Sequence, residues 1–502
     1  MKYDALIIGG GLGGLTAAAK LAREGKKVLL IEQHTMPGGC ATAFRRGNYT
    51  MEVGLQQTVL LYDSILRKRI FHELDILNNI EFIPIPEFYR FISEKVDIVI
   101  PNDYLKAEAE LIEHFPSEEK GIKSFISITR NMLKEYERLP RETWKRLLWV
   151  PLIPFLCPTL ARYYYVSVGK FVDTVIKNED LKLALLANLG YYHNDPYTLP
   201  LLFFAIAQGR FYLGKGRYIR GGSYKLPEYL SGFIKKFSGE VLLGHLVTKI
   251  LVENKKAVGI EYIKKEGGGE AKRAYAKVII ANASIPSVAQ ELLPDKEAGI
   301  LKRKIKKMEH ACSLLTIFLF FKKPAKDFGC RNYCNIFLSP QVKSLGGINL
   351  DRSVAEKSFA FVDYGQIDSQ LAPAGRGVGV IHTVDYLKNW LNLSVDEYKA
   401  RKERVAHDFI ERLNGIFPGI KEGIDFYEVG TPKTIKRYTL NPSGTAYGFA
   451  QIPSQSGVKR IKHKSPIKNL YFASAWTRPG GGFTGAVLSG YCCAEEVLRK
   501  YR

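Results

Sequence analysis

Residues 3–32 read YDALIIGGGLGGLTAAAKLAREGKKVLLIE, and the first unit of the fold can be read from this segment. It predicts a buried strand over Ala5 to Ile8, a glycine turn, a helix over about residues 12–23 and a second strand over Val28 to Ile31. Strand, helix and parallel strand in this order form the βαβ unit of a doubly wound sheet. The segment therefore predicts an α/β protein with a Rossmann-type domain.

The glycine turn fits the fingerprint of a dinucleotide-binding site. Gly9, Gly11 and Gly14 match G-x-G-x-x-G between a strand and a helix, the context that this motif requires. The first glycine makes the tight turn, the second lets the backbone approach a pyrophosphate, and the third allows close helix–strand packing. The alternative is a glycine-rich turn without a ligand. It would not explain the carboxylate of Glu32 at the end of the second strand, where it can accept hydrogen bonds from a ribose diol. The residues predicted to contact the nucleotide here are Gly9, Gly11, Leu12, Gly13, Gly14, Glu32 and Gln33.

Length, composition and charge limit the possible classes of protein. The 502 residues are 46% hydrophobic, which suffices for a large core and a second lobe. The 73 lysines and arginines exceed the 50 acidic residues and give a net charge of +23, which favours an anionic partner or a solvated basic face. The sequence has no zinc-finger spacing, RNP-like segment or basic heptads, so nucleic acid is not expected as the partner. Anionic lipid or a phosphate-bearing ligand fits better.

The cysteines and the first residues point to the cytoplasm. The seven cysteines are odd in number and scattered, which is typical of reduced thiols and argues against disulfides. Cys330 and Cys334 lack nearby histidines, so no metal site is expected. Asp4 and the glycines interrupt the apolar stretch that follows Lys2, so a secretory signal is not expected.

The next segment and several later ones resemble one family of flavoproteins. Pro37-Gly38-Gly39 in HTMPGGCATAFRRGNYTMEVG follows the ribose-binding strand, and by itself could be a type II turn. Further matching segments lie along most of the chain, except between about 70 and 215: RGGSYKLPEYL, VTKILVENKKAVGIEY, AKVIIANAS, DSQLAPAGRGVGVIH and SGTAYG. Together they resemble the family of phytoene desaturases, carotenoid isomerases and retinol saturases, to which the amine oxidases are more distantly related. SGTAYG, Ser443 to Gly448, is most similar to the carotenoid isomerases and retinol saturases.

The resemblance implies that the cofactor is FAD. NLYFASAWTRPGGGFTGAVLSG, near the other end of the chain, is similar to the segment that passes along the flavin ring, so the two glycine-rich stretches should converge on one cofactor. Gly480, Gly481 and Gly482 are expected to let the backbone approach the flavin, and the following helix would stabilise negative charge on the reduced ring. The family further implies contacts to FAD from Gly38, Gly39, Cys40, Val247, Ala283, Ser474, Ala475, Gly482 and Phe483.

One position departs from the family. Most members carry Gly-Asp where this chain has Ser474-Ala475, and in those members the aspartate holds a cofactor hydroxyl. A charge-assisted hydrogen bond of this kind is worth about 1.5–3 kcal/mol. Ser474 or another residue is therefore expected to compensate for its loss.

The segments similar to FAD-binding segments are scattered, so a discontinuous domain is predicted. The FAD-binding domain comprises residues 1–65, 215–300 and 440–502, and a second, substrate-binding α+β domain comprises residues 66–214 and 301–439. In the second domain, strands are expected over Ser313 to Phe321, in SFAFVDY and in GVGVIHTV, with a helix over Val395 to Asn414.

Residues 144–166, WKRLLWVPLIPFLCPTLARYYYV, are the most lipid-like segment. The uncharged run from Leu147 to Ala161 is shorter than the ~20 residues that span a bilayer, and it contains prolines. Tryptophans, tyrosines and basic residues flank the run, as they do at a membrane surface. We expect peripheral association with the cytoplasmic face of an anionic membrane, and a buried hinge along a substrate tunnel is the alternative.

The expected chemistry belongs to the cofactor. A flavin transfers hydride at N5, so a catalytic triad is not expected. Tyr447 and Arg220 are the best polar candidates for catalytic residues near the flavin. Aromatic residues that could line an apolar tunnel, or simply belong to the core, are Tyr191, Tyr192, Phe203, Phe204, Phe211 and Tyr212. The sequence has no second nucleotide fingerprint, so a quinone, oxygen or a carrier protein is expected as redox partner rather than NAD(P)H.

Three functions fit these observations. The first is an FAD-dependent oxidoreductase that desaturates or saturates a carbon–carbon bond of a lipophilic isoprenoid, carotenoid or retinoid-like substrate. The second is a cis–trans polyene isomerase that needs reduced FAD without net redox change, which SGTAYG favours. The third is a non-enzymatic prenyl-binding protein like the GDP dissociation inhibitors, which the intact Gly480–Gly482 segment disfavours.

Overall fold

The computed structural model describes residues 3–59, 65–140, 148–214, 216–348 and 352–501. The strands in chain order are β1 Tyr3–Ile8, β2 Val28–Ile31, β3 Ala43–Arg46, β4 Tyr49–Glu52, β5 Phe82–Pro84, β6 Tyr89–Ile92, β7 Asp97–Ile100, β8 Arg217–Ile219, β9 Glu240–Leu242, β10 His245–Glu253, β11 Lys256–Lys264, β12 Lys272–Ala281, β13 Ser313–Phe321, β14 Cys334–Phe337, β15 Phe359–Asp363, β16 Gly377–Asp385, β17 Ile424–Gly430 and β18 Leu470–Phe472. The α-helices are Leu12–Arg23, Ile65–Glu73, Tyr104–His114, Glu119–Arg138, Ile153–Leu156, Pro158–Tyr163, Val168–Val175, Glu179–Leu185, Leu201–Gln208, Lys225–Lys236, Ile285–Ser287, Asp295–Ile305, Val395–Ile416, Ile420–Gly423, Pro432–Thr439 and Phe483–Lys500.

The first sheet has the order β10-β11-β12-β1-β2-β9, and β18 pairs with β12. β1 lies between β2 and β12, parallel to both, and β18 is parallel to β12. Leu6 and Ile7 of β1 are completely buried, as expected for a parallel strand that is covered on both faces. The predicted βαβ unit and α/β fold are confirmed. The sheet joins strands from three distant parts of the chain, while the domain boundaries given above remain a prediction.

The two ends of the described chain meet on one face of this sheet. Helix Leu12–Arg23 packs along helix Phe483–Lys500. A Cβ on Gly490 would lie 2.2 Å from the carbonyl oxygen of Gly13, so the two helices touch backbone to backbone. A Cβ on Gly13 would in turn lie 2.3 Å from the carbonyl oxygen of Ala473, just after β18. The predicted convergence of the two glycine-rich stretches is confirmed.

The second sheet has the order β17-β13-β16-β15-β14-β6-β7 and is antiparallel except for the pair β14 and β6. The strands expected over 313–321, 358–364 and 377–384 are present as β13, β15 and β16, and the expected helix is present as Val395–Ile416. Alternate residues of β13 point to opposite faces. Leu315, Ile317 and Leu319 join the core under helix Val395–Ile416, whereas Phe318 and Phe320 belong to the core shared with the first sheet.

Candidate functional site

The first glycine turn is built as the motif predicts. Gly9 has a φ of +96° and donates its N–H to the carbonyl of Ile31 at 2.8 Å. A Cβ on Gly14 would lie 2.2 Å from the Gly9 oxygen, so the third glycine is needed for packing. Gly11 caps helix Leu12–Arg23 without a side-chain hydrogen bond, and the first turn of the helix has no acidic residue. The helix N-terminus therefore presents free N–H groups and its dipole to an anion.

Glu32 ends β2 beside this turn. Its carboxylate is 8% exposed and accepts hydrogen bonds from the N–H groups of Gly10 at 2.6 Å and His34 at 2.8 Å. Burial raises the pKa of Glu32, and these two hydrogen bonds oppose that rise. Gln33 is engaged elsewhere, since it accepts from Lys265 Nζ at 2.7 Å and donates to the Tyr438 carbonyl at 3.2 Å.

The second glycine pair lies directly against the first turn. Gly38 donates its N–H to the Gly10 carbonyl at 2.8 Å, and a Cβ on Gly39 would lie 3.3 Å from Gly11 Cα. The two turns thus form one wall without side chains. Cys40 follows with an exposed side chain, yet burial raises its thiol pKa to about 11.

Asn282 completes this wall and was missed in the sequence. It follows β12, donates its amide to the Gly9 carbonyl at 3.3 Å and would lie 2.6 Å from a Cβ on Gly11. The signal was present in AKVIIANAS, where an amide directly follows a strand that pairs with β1. Of the other predicted contacts, Ala283 is the next residue and Val247 is buried in β10.

The C-terminal glycines differ from one another in what surrounds them. A Cβ on Gly480 would lie 2.0 Å from Gln451 Nε2, and one on Gly481 would lie 2.5 Å from the Tyr447 carbonyl. On Gly482, with a φ of +83°, a Cβ would meet nothing within 4 Å. The missing side chains of Gly480 and Gly481 therefore admit neighbouring protein, and only Gly482 has open space where its Cβ would be; that all three let the backbone approach the cofactor stays a prediction.

Gly482 also begins the last helix. Helix Phe483–Lys500 has neither a side-chain cap nor an acidic residue in its first turn. Phe483 packs against the main core, and Thr484 Oγ1 lies 3.4 Å from Thr58 Oγ1. A second uncapped helix N-terminus thus begins at a glycine with open space where its Cβ would be, and its placement beside the flavin stays a prediction.

Of the two predicted catalytic residues, the structure brings one to this region. Tyr447 contacts Gly481 through its backbone, and burial followed by the nearby thiols of Cys312 and Cys40 raises the pKa of its hydroxyl. Arg220 instead forms ion pairs with Glu81 at 3.0 Å and Asp368 at 2.5 Å. These contacts indicate a structural link for Arg220, and a catalytic role for either residue stays a prediction.

The buried carboxylate of Glu52 orders the residues that follow β4. This segment continues to Thr58, which contacts the last helix. From the described residues, Glu52 accepts hydrogen bonds from Gly54 N at 3.1 Å, Leu55 N at 3.0 Å, Tyr218 OH at 2.9 Å, and both N and Oγ of Ser223 at 2.7 Å. Burial raises the pKa of Glu52, and the hydrogen bonds oppose the rise. This network was missed, although a glutamate within the otherwise apolar strand TMEVG could have indicated it.

Gln56, Tyr191 and His382 contact one another where this segment meets the second sheet, and this group is here called the aromatic recess. The Gln56 amide nitrogen lies 2.7 Å from His382 Nδ1, and the rings of His382 and Tyr191 meet edge to face at 5.7 Å. Both rings keep some accessible surface, yet burial raises the pKa of Tyr191 and lowers that of His382 to about 4. The histidine is therefore neutral at physiological pH.

The other aromatic residues expected at a tunnel differ in burial. Phe204 and Tyr212 are buried in the core, whereas Phe203 and Phe211 are partly buried. The hydroxyl of Tyr192 donates to Gln208 at 2.5 Å, and its ring meets Phe203 at 6.1 Å. Within the described residues, no group of three or more histidine, cysteine or acidic side chains could hold a metal ion.

The family model described as flavin containing amine oxidoreductase matches residues 12–498. The chain belongs to this family. Its cofactor is FAD, as the glycine segments predicted. The fold agrees, since putrescine oxidase, solved with putrescine, superposes with a TM-score of 0.66 at 15% identity over 99% of both chains.

Curated relatives include the three classes that the sequence resembles. Prolycopene isomerase 1 from an Oncidium hybrid cultivar is 28% identical over 99% of this chain and 84% of its own length. All-trans-retinol 13,14-reductase from Danio rerio is 25% identical over 99% and 86%. Phytoene desaturase (neurosporene-forming) from Rhodobacter capsulatus is 25% identical over 98% and 93%.

The residues present fit this cofactor. The side-chain-free wall of Gly11 and Gly39, the uncapped helix at Leu12 and the open space at Gly482 are the features that a dinucleotide and its ring require. Glu32 would hold the ribose, and the helix that begins at Phe483 would lie beside the ring. When bound, FAD supplies hydride transfer, and the chain supplies position, charge and exclusion of water.

Proposed function

We propose that this protein is an FAD-dependent oxidoreductase that desaturates or saturates a carbon–carbon bond of a lipophilic isoprenoid, carotenoid or retinoid-like substrate. The aromatic recess carries this proposal. Its Gln56 lies two residues before Thr58, whose hydroxyl meets that of Thr484 in the first turn of helix Phe483–Lys500, and its histidine is neutral. An apolar polyene has little for a charged side chain to bind, so an aromatic, uncharged wall beside the flavin suits it.

A second candidate is a reduced-FAD-dependent isomerase. The observation that favours it is the likeness of SGTAYG to carotenoid isomerases, together with the prolycopene isomerase relatives. This segment precedes Phe449 and includes Tyr447, which lies against Gly481. The redox partner in the first case is a quinone, oxygen or a carrier protein.

The two candidates differ in the mass of the product. We expect the FAD-loaded protein, incubated separately with phytoene, all-trans-retinol and prolycopene, to change one of them by two hydrogens. Liquid chromatography with mass detection measures this, with oxidised and chemically reduced enzyme in parallel. A product of unchanged mass with shifted polyene absorbance would establish the isomerase, and colourless protein without flavin would leave only the prenyl-binding alternative.

We further propose that the protein binds an anionic membrane surface peripherally. In the described part of segment 144–166, large apolar side chains point outward: Leu148, Val150, Leu152, Phe155, Leu156 and Tyr165, here called the apolar face. The opposite side is anchored, since Cys157 is buried and the Glu135 carboxylate accepts from Leu160 N at 2.8 Å. This arrangement disfavours the buried hinge. Trp144, Lys145 and Arg146 lie outside the described residues.

A second segment extends the apolar face. Gly457 lies beside the Tyr164 hydroxyl, and the neighbouring Val458 is 64% exposed next to Lys459. Arg478 donates to the Val458 carbonyl, which joins this surface to the turn that precedes Gly480. Exposed apolar groups beside cations suit an anionic lipid interface. No helix among the described residues is long and apolar enough to cross a bilayer.

Replacing either Phe155 or Val458 by glutamate should weaken binding to phosphatidylglycerol vesicles about tenfold, because the change removes apolar contact and adds repulsion. Cosedimentation at fixed salt measures the effect. Leu105→Glu is the matched control, since Leu105 is 71% exposed on a different helix and changes the net charge equally per site. Equal weakening by Leu105→Glu would show that net charge alone binds the vesicles and would contradict the proposal.

A further inference from the structure

Arg460 is a completely buried arginine. It contacts the segment from Asn469 to Gly490, which is similar to the segment that passes along the flavin in the family. Its side chain is 1% exposed. Nε donates to the Thr477 carbonyl at 2.9 Å, and Nη2 donates to the carbonyls of Ala475 at 2.7 Å and Phe449 at 3.1 Å. One guanidinium thus ties the turn after β18 to the segment that follows Tyr447.

The positive charge of Arg460 has no counter-charge among the described residues. Its hydrogen-bond acceptors are neutral carbonyls, its Nη1 has no partner, and burial lowers its pKa to about 9 with no carboxylate to oppose the change. Burying an uncompensated charge costs several kcal/mol, so such groups are normally paired. The compensating negative charge must therefore come from a group that binds nearby.

The location of Arg460 indicates which group this is. The guanidinium carbon would lie 3.5 Å from a Cβ on Gly480, two residues before the helix cap Gly482. Ala475, whose carbonyl it holds, stands where the resemblance expects an aspartate. The resemblance expects a negative side chain there that this chain lacks, while the buried cation lies against Gly480 and an uncapped helix N-terminus begins two residues later, at Gly482.

We propose that Arg460 is a positioning residue that holds the 475–480 turn and directs positive charge at the reduced flavin. It thereby makes the protein bind reduced FAD more tightly than it would otherwise. The inference deepens the proposed function, since a reduced cofactor occurs in both candidate reactions, but its test requires no substrate.

The test is the midpoint potential of the bound flavin, measured by spectrophotometric titration. Arg460→Gln should lower the affinity for reduced relative to oxidised FAD about tenfold, a drop of about 30 mV for a two-electron couple. Arg460→Lys keeps the charge and should restore most of the difference. Arg210→Gln is the control, because Arg210 is also buried, with 4% exposed, but is paired with Glu137 at 2.8 Å; it should not move the potential.

A second pair of variants tests the charge without removing the arginine. Ala475→Asp should lower the potential as Arg460→Gln does, because it adds a negative charge at the residue whose carbonyl the guanidinium holds, whereas Ala475→Asn should not. Flavin-loaded Arg460→Gln or Ala475→Asp with the wild-type potential would overturn the proposal. So would equal weakening of oxidised and reduced FAD, which would assign Arg460 to the pyrophosphate or to structure alone. If the variants shift the potential as expected but the protein turns over no substrate, only the proposed function is contradicted.

Discussion

Replacing Gly11 by valine is expected to give folded protein that purifies without flavin, with FAD affinity reduced about a hundredfold or more. A Cβ at this position enters the wall that faces Gly39 and lies 2.6 Å from the Asn282 amide. The backbone could then no longer approach the pyrophosphate. Flavin absorbance of the purified protein and titration of the apoprotein with FAD measure the loss.

The loss of flavin could come from a clash with FAD itself or from a displaced Asn282 side chain, and a second variant separates these two causes. Asn282→Ala removes the nearest clash, so Gly11→Val in that background tests whether the cofactor or the asparagine is displaced. We expect the double variant to remain colourless. Gly232→Ala is the control, since a Cβ there meets nothing within 4 Å on an exposed helix position. Wild-type yellow colour in the double variant would refute the assignment of the glycine wall to FAD.

Glu52→Gln is expected to lower the free energy of unfolding by about 3 kcal/mol or more. The amide keeps the shape of the carboxylate but replaces one acceptor with a donor. Oε2 accepts from Tyr218 and Ser223 N, and Oε1 accepts from Gly54, Leu55 and Ser223 Oγ, so either amide orientation leaves buried donors unpaired. Urea unfolding followed by circular dichroism measures the change.

Tyr218→Phe measures what one hydrogen bond to Glu52 contributes to the free energy of unfolding, and the effect of Glu52→Gln is compared with it. It removes a single donor from the network and should cost about 1 kcal/mol. If the glutamine variant unfolds at the wild-type urea concentration, the carboxylate is not what orders the chain between β4 and Thr58. The same measurement then removes the structural support for the aromatic recess, because Gln56 belongs to this segment.

Local patterns predicted the parts of the fold that depend on neighbours in sequence. The βαβ unit and strand β13 match because their burial and turns are determined within about 30 residues. Local patterns could not show which of the C-terminal glycines packs against neighbouring protein and which has open space beside it. Gly480 is confined by Gln451 and Gly481 by Tyr447, and this packing is decided by tertiary structure.

The missed residues share a physical reason. Arg460 bonds to backbone carbonyls, which every sequence provides, so no residue pattern marks its partners. Glu52 is held by hydroxyl and N–H groups from the loop that follows it and from segments some 170 residues away. His382 gains its environment from Gln56 across the sheet. Only the family resemblance carried information over such separations.

The backbone contact between Gly13 and Gly490 has a consequence for biosynthesis. Helix Leu12–Arg23 is synthesised long before its packing partner, helix Phe483–Lys500. The nascent chain must therefore keep its first βαβ unit incompletely covered until that helix has been made, which delays folding and favours chaperone contact. The glycine turn at Gly9 and the segment before Gly482 can form one site only after both have been synthesised.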